Sequence, residues 1–287
     1  MILDRLYEPT DGELIYHYCR PEAFLEIIKA RTMWLSAYYV LNDVTERKWG
    51  YLVFTKVAKQ LQEEVGKQFI GHIMPMINTA YFNSMLMISC YSLDADVLSQ
   101  WRAYGDDGRG FAIGFAPHLM EMPAKKLRVL YDEEAQIREL TGNLRHTYEY
   151  EKSIGFKFDD QFQTHWFNIG LDLCAYKNPA FREEKEIRLA HVSGLASEGK
   201  SQKLIPLGAR DQGGKRLSPP VEISFRISNG AVVPYVALDY TNGGANSPIK
   251  EIVLGPRNEN SESNIEILLN STGMTDVRVG RSRVPYR

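Results

Sequence analysis

Glu184-Lys185-Glu186-Ile187-Arg188 is the stretch on which the reading of this chain turns. In an extended strand successive side chains point to opposite faces. Glu184, Glu186 and Arg188 then share one face, and Lys185, Ile187 and Leu189 share the other. Neighbouring carboxylates repel unless a positive charge lies between or above them. Arg188 is placed to supply it, and so is a ligand carrying developing positive charge. A strand of the form Glu-x-Glu-x-Arg also suits an exposed face, but Ile187, Leu189 and the flanking Phe181 argue for the body of a sheet. The expected strand runs from Arg182 to His191.

Outward from there, the apolar runs Leu14–Cys19, Met33–Ser36, Met85–Ser92, Gly110–Phe115, Leu127–Tyr131, Val221–Ile227, Val232–Ala237, Ile249–Leu254 and Val277–Gly280 read as further strands. Helical spacing after Pro21 predicts a helix there. Further helices are expected from Val44 to about Phe69, continuing after a break to Tyr81, and over Val97–Tyr104, Asp132–Lys152, Asp159–Tyr176 and Asn258–Leu269. Residues 192–220, rich in Gly, Ser and Lys, read as a long irregular insertion or mobile loop. Strands on both sides of a helical insertion at about 132–176 predict one α+β domain with a mixed or antiparallel sheet.

The 287 residues are 44% hydrophobic and 24% charged, which is ordinary globular composition, and the formal net charge of -2 supplies no global basic field for nucleic acid. Local patches are not excluded by that. Three cysteines, Cys19, Cys90 and Cys174, lie far apart with no CxxC pair. This fits buried thiols in a reducing compartment and argues against a zinc site built from cysteine. Asp4, Arg5 and Glu8 break any signal pattern, and no apolar run approaches the roughly 20 residues of a membrane span. The expectation is a soluble cytoplasmic protein.

Several groups have the chemistry of a site, and each has a plain structural alternative. His17, between Tyr16 and Tyr18, suits a strand histidine bonded to a backbone carbonyl, or a polar finger that holds a ribose or an amide over one of those rings. Asn42-Asp43-Val44-Thr45-Glu46 suits a capping box, or a cluster that orients a sugar or base. Ser92, Trp101 and Tyr104 suit aromatic packing, or a stacking platform for a flat ring, with Arg102 and Arg109 near enough in sequence to meet a phosphate. The glycines at 108 and 110 lack the GxGxxG spacing and a following helix. Lys177 reads as a solvated charge at a helix end. The C-terminal Gly280-Arg281-Ser282-Arg283-Val284-Pro285-Tyr286-Arg287 reads as a frayed end, or as arginines folded over a phosphate.

Taken in order, Tyr-His-Tyr, Asn-Asp-x-x-Glu, Ser, Trp-x-x-Tyr, Gly-Phe-Ala-Ile, Lys, Glu-x-Glu-x-Arg and Ser-x-x-Pro-Tyr-Arg resemble the bacterial family catalogued as domain of unknown function 2971. A weaker likeness is to ADP-ribosyltransferases, with His17, then Ser92 or Tyr104, then Glu186 in the places of that superfamily's polar, middle-strand and acidic residues. Leu14-Ile15-Tyr16-His17-Tyr18 and Trp34-Leu35-Ser36 are similar to the start of its DNA-targeting members. The chain departs from them in having Tyr18 after the histidine and no Ser-Thr-Ser.

This second resemblance implies a split sheet and NAD as substrate. Cleavage of the nicotinamide–ribose bond passes through an oxocarbenium-like state. Glu186 would stabilise it, Glu184 would orient or deprotonate the acceptor, and His17 would anchor ribose or carboxamide. The implied NAD contacts are His17, Tyr18, Ser36, Asn42, Asp43, Ser92, Trp101, Tyr104, Arg109, Arg188, Ser282 and Arg283. Tyr104 would stack on nicotinamide, and Arg109 or Arg283 would meet the pyrophosphate. The expected role is a toxin or phage-defence effector with a protein or nucleic-acid acceptor, an antitoxin or defence-system partner, no membrane association and no metal. Two other readings stay open. One is a nuclease holding Mg²⁺ on Asp43, Glu46, Glu184 and Glu186 beside Lys177 or Lys185. The other is a sensor module that uses the same polar cleft without turnover.

Overall fold

The apolar run that ends at Ser92 forms the strand on which the sheet is organised, β3 (Ser84–Ser92). In this computed structural model, which describes residues 5–38, 44–82, 84–198, 201–208, 218–228, 230–241 and 247–286, β6 (Glu186–Glu198) pairs antiparallel along the whole of one edge of β3, from Ser84↔Gly194 to Ser92↔Glu186. The other edge is divided. β1 (Ile15–Cys19) meets it at Tyr16↔Ser92, and β2 (Thr32–Ala37) meets it at Ser36↔Ile88 and Ala37↔Met87. The sheet therefore forks at Cys90, between those two pairings.

One arm of the fork runs from β1 to β4 (Phe111–Phe115), β10 (Ile249–Leu254) and β11 (Arg278–Arg281), the last pair being parallel. The second arm runs from β2 to β9 (Ala231–Asp239) and β8 (Ile223–Ser228). Beyond β6 lie β5 (Lys125–Arg128) and β7 (Ser201–Ile205). The described residues form an open mixed sheet of 11 strands with helices, an α+β fold.

α1 (Pro21–Ala30) follows β1 at once, with Pro21 in its first turn, where the missing N–H costs nothing. It buries Phe24, Ile27 and Ile28 against the sheet, and Phe24 stacks on Phe111 at 4.0 Å. α7 (Glu262–Ser271), capped by Ser261, adds Ile265 and Leu269 to the same core.

A second core lies among helices. α2 (Val44–Val65) and α3 (Lys67–Phe82) are separated by Gly66, whose φ of 84° only glycine adopts at no steric cost. α5 (Glu133–Ser153) and α6 (Asp160–Asp172) pack on them. Val53, Val57, Leu61 and Phe69, Ile73, Ile77 recur at helical spacing and enclose Leu140, Leu144 and Trp166. The helical layer thus draws on two separate stretches of chain and is not confined to the insertion at 132–176. No described helix is long and apolar enough to cross a membrane.

Three expectations are corrected. The strand expected from Arg182 begins only at Glu186, because Pro179–Glu184 is a 3-10 helix closed by Lys185 in the left-handed region at φ 43°. Glu184 therefore does not share a strand face with Glu186. Residues 192–198 and 201–205 are not a loop. β6 continues to Glu198 and turns back as β7 with register Glu198↔Ser201. The polar composition that suggested a loop belongs to strands with a solvated face. Leu127–Tyr131 is shifted, with the strand at Lys125–Arg128 and one bridge from Leu130 to Tyr176. Asn42 and Asp43 lie outside the described residues.

Candidate functional site: a pocket at the fork of the sheet

Where β1 leaves β3, the Cys90 carbonyl has no strand partner on that edge. The His17 ring supplies one, with Nδ1 2.9 Å from the Cys90 oxygen. A carbonyl only accepts, so Nδ1 carries the proton and Nε2 keeps its lone pair. Burial pushes the ring pKa below the ordinary histidine value, against the smaller upward effect of that bond, and the ring stays neutral. The plain structural alternative for His17, a bond to a backbone carbonyl, is thus correct. It also fixes the free nitrogen as an acceptor.

A small pocket of about 70 Å³ opens at this point. It is lined by His17 and Tyr18 from β1, Cys90 and Tyr91 from β3, Gln100 and Tyr104, and Glu184 and Glu186. Gln100 belongs to α4 (Leu98–Ala103), and Tyr104 closes that helix. The Tyr18 hydroxyl donates to the Asp94 carbonyl and accepts from the Val97 N–H, which fixes α4 over the fork.

Behind the pocket lies a buried ionic cluster. Glu186 and Arg188, two apart on β6, share a face as strand alternation requires. Glu186 Oε1 accepts from Arg188 Nε at 2.8 Å, and Oε2 accepts from Arg188 Nη2 at 2.8 Å and from Lys177 Nζ at 3.0 Å. Arg188, with no exposed surface, spends its remaining nitrogen on the Cys174 carbonyl at 2.5 Å. Lys177 Nζ also donates to Glu184 Oε2, at 2.5 Å. Burial alone would raise the Glu186 carboxyl, but the Arg188 and Lys177 charges more than offset it and hold the pKa at about 2. Burial, and then the Glu186 charge, push the Cys90 thiol well up, so it is no nucleophile at neutral pH. The Tyr131 hydroxyl accepts from the Glu186 N–H at 3.0 Å, which fixes the start of the strand.

Lys177 was expected in solvent and is instead 2% exposed, between the two carboxylates. Its ammonium reaches Glu184 and Glu186. Among the described residues no group of three or more His, Cys, Asp or Glu is arranged to hold a metal ion.

The pocket gathers His17, Tyr18, Tyr104, Glu184 and Glu186 of the expected residues, with Arg188 directly behind. It does not gather the others. Ser36 Oγ accepts from Arg226 at 3.1 Å, on the other arm of the fork. Ser92 is buried and its Oγ accepts from the Asp94 N–H. Trp101 is fully buried, edge-on to Tyr18 at 4.7 Å, with Nε1 bonded to Asp96. It is a core residue and offers no stacking face. Arg109 is exposed, with its carbonyl bonded to Asn258.

Ser282 and the backbone of Arg283 bind Asp96, and Tyr286 binds Asp107. The C-terminal segment is therefore a strap across α4 and the turn after it. It is not frayed. Gln100, Cys90 and Tyr131 were missed. The one signal for Gln100 was an amide beside a tryptophan in a helix too short to have a separate polar face.

No curated protein and no solved structure matches the chain. A family model does match, over residues 100–189, and that stretch contains Gln100, Tyr104, Lys177, Glu184, Glu186 and Arg188. The matching family is described as protein of unknown function (DUF2971), the same family that the ordered motifs resemble.

Proposed function

We propose that the chain cleaves or transfers at the N-glycosidic bond of NAD, as an ADP-ribosyltransferase-like enzyme. The observation that carries this reading is the convergence of His17, Tyr104, Glu184 and Glu186, from distant parts of the chain, on one pocket beside a carboxylate that stays ionised. A fixed negative charge stabilises an oxocarbenium-like ribose, and one already surrounded by protein dipoles needs no reorganisation when that charge develops. Glu184, nearer the mouth, would orient the acceptor. Tyr104, 38% exposed, would cover the flat face of the leaving ring.

A volume of about 70 Å³ is far below the ~300 Å³ at the lower end of ligand pockets. Only the reacting end of the dinucleotide would enter, with the phosphates outside along α4.

A second reading is favoured by one observation. Glu186 is already matched by Arg188 and Lys177, so less of its charge is left for a ligand. On that reading the pocket is a binding module without turnover.

Incubation of purified protein with labelled NAD and cell extract separates the two. The transferase reading expects nicotinamide release or label transfer, unaffected by a chelator, and at least a hundredfold loss in Glu184→Gln and Glu186→Gln variants of native circular dichroism. Release that is absent, or equal in wild type and both variants, rejects it.

A further inference from the structure

Gln100 is 8% exposed, lines the pocket, and its side-chain amide makes no hydrogen bond within the described residues. Its backbone carbonyl is occupied, accepting from the N–H groups of Tyr104 and Gly105, so the helix holds the side chain in place. The amide atoms are not sealed away and open to the pocket, so water or a ligand there is what satisfies them. His17 lines the same pocket, and its Nε2 is also without a partner within the described residues. The Glu184 and Glu186 carboxylates line the pocket as well.

This set has a definite complement. An amide offers one N–H donor beside one carbonyl acceptor, and it pairs in two bonds with any group that presents an acceptor beside an N–H₂. The second hydrogen of that N–H₂ has an acceptor in His17 Nε2. A ligand carboxylate fails on all counts. It has no hydrogen for the imidazole or for the Gln100 carbonyl, and it meets two carboxylates of its own sign.

We propose that Gln100 and His17 together read an amide-like edge, an N–H₂ next to an acceptor on a flat ring, and that Gln100 determines the specificity of the pocket. A carboxamide carries that edge, and so does the amino edge of adenine or cytosine. The inference rests on the pocket being the ligand site, as in the function proposed above, but does not require turnover.

Binding of small probes to the intact protein, by calorimetry or ligand-observed NMR, tests it. Benzamide is compared with benzoate, adenine with purine, and cytosine with pyrimidin-2-one, each counterpart lacking the N–H₂. Within at least one pair the amino-bearing probe should bind wild type tenfold or more tightly than its counterpart. Preference within the benzamide pair identifies a carboxamide ligand, and preference within a base pair identifies a nucleobase. Gln100→Leu should abolish the preference, and Gln100→Asn should retain part of it.

The proposal is overturned if no amino-bearing probe binds, if the counterparts bind equally well, or if Gln100→Leu keeps the preference. Discrimination without NAD turnover leaves this inference standing and removes the transferase. Turnover without discrimination does the reverse.

Discussion

On one side of the pocket Glu186 divides its oxygens between Arg188 and Lys177, and Lys177 holds Glu184 as well. On the other side Gln100 and His17 line the same pocket, with the Gln100 amide and His17 Nε2 unspent as hydrogen-bonding groups within the described residues. Both walls are polar and largely buried, yet they answer to different physics. In the ionic wall desolvation is so costly that each charge must be met within the protein. In the amide wall the groups are neutral, so leaving them open costs little enough for a fold to tolerate. A rigid charged wall sets the local field, and an open neutral wall is the part able to discriminate among ligands.

The sharpest way to break this contrast is Arg188→Met. It leaves the Glu186 carboxylate buried beside Lys177 alone, and a loss of about 3–5 kcal/mol is expected from urea denaturation midpoints. Adding Glu186→Leu to that variant should recover a good part of the loss, since an apolar pair of similar volume is tolerated where a lone charge is not. A loss under about 1 kcal/mol from Arg188→Met would show that the cluster is solvated.

The ionic wall also has a pH signature. The Glu186 pKa in the folded protein, about 2, lies below its ordinary value of 4.5, so the unfolded chain binds the proton first as pH falls. Its contribution is fully present above about pH 4.5 and is lost as pH falls towards 2. Wild type should lose stability through that window, and the Arg188→Met, Glu186→Leu variant should show a shallower slope there. Equal slopes would remove Glu186 as the cause.

The strap gives an intermediate effect. Asp96 accepts from Trp101 Nε1, Ser282 Oγ and the Arg283 N–H. Asp96→Ala leaves the buried indole N–H unpaired and should cost about 1–3 kcal/mol, with faster amide exchange over Leu98–Ala103. Unchanged exchange in α4 would mean that the strap does not position the Gln100 wall. The smallest effect is expected for Gln100→Leu, within about 1 kcal/mol of wild type or slightly stabilising, because no protein partner is lost. A large loss of stability would assign Gln100 a structural role and erase the difference between the walls.

Much of the scaffold was legible in order and type. Ile249–Leu254 was expected as a strand and is one over those same residues, and the helix expected at Asp132–Lys152 lies within a residue at each end. These segments carry strong periodicity and clear caps, such as Asp132 accepting from the Ala135 N–H. Where boundaries failed, the local signal was misleading. Lys185 has a left-handed backbone that lysine does not advertise, and the β6–β7 hairpin is built from residues with a loop-like composition.

In the site, His17, Tyr18, Tyr104, Glu184 and Glu186 were named and do converge. Trp101 was assigned a ligand face that core packing had already used. Lys177 was placed in water because one residue at a helix end carries no mark of what will later pack over it.

What the sequence determined by itself was the pairing of Glu186 with Arg188. Strand alternation puts positions two apart on one face whatever the rest of the chain does. The meeting of that pair with Lys177, and of the pocket they back with His17 and Gln100, was decided only by the tertiary structure. It depends on β1 and β2 dividing one edge of β3 so that Cys90 falls in the gap. That division is a competition for backbone hydrogen bonds between strands distant in sequence, and no local pattern records which strand wins.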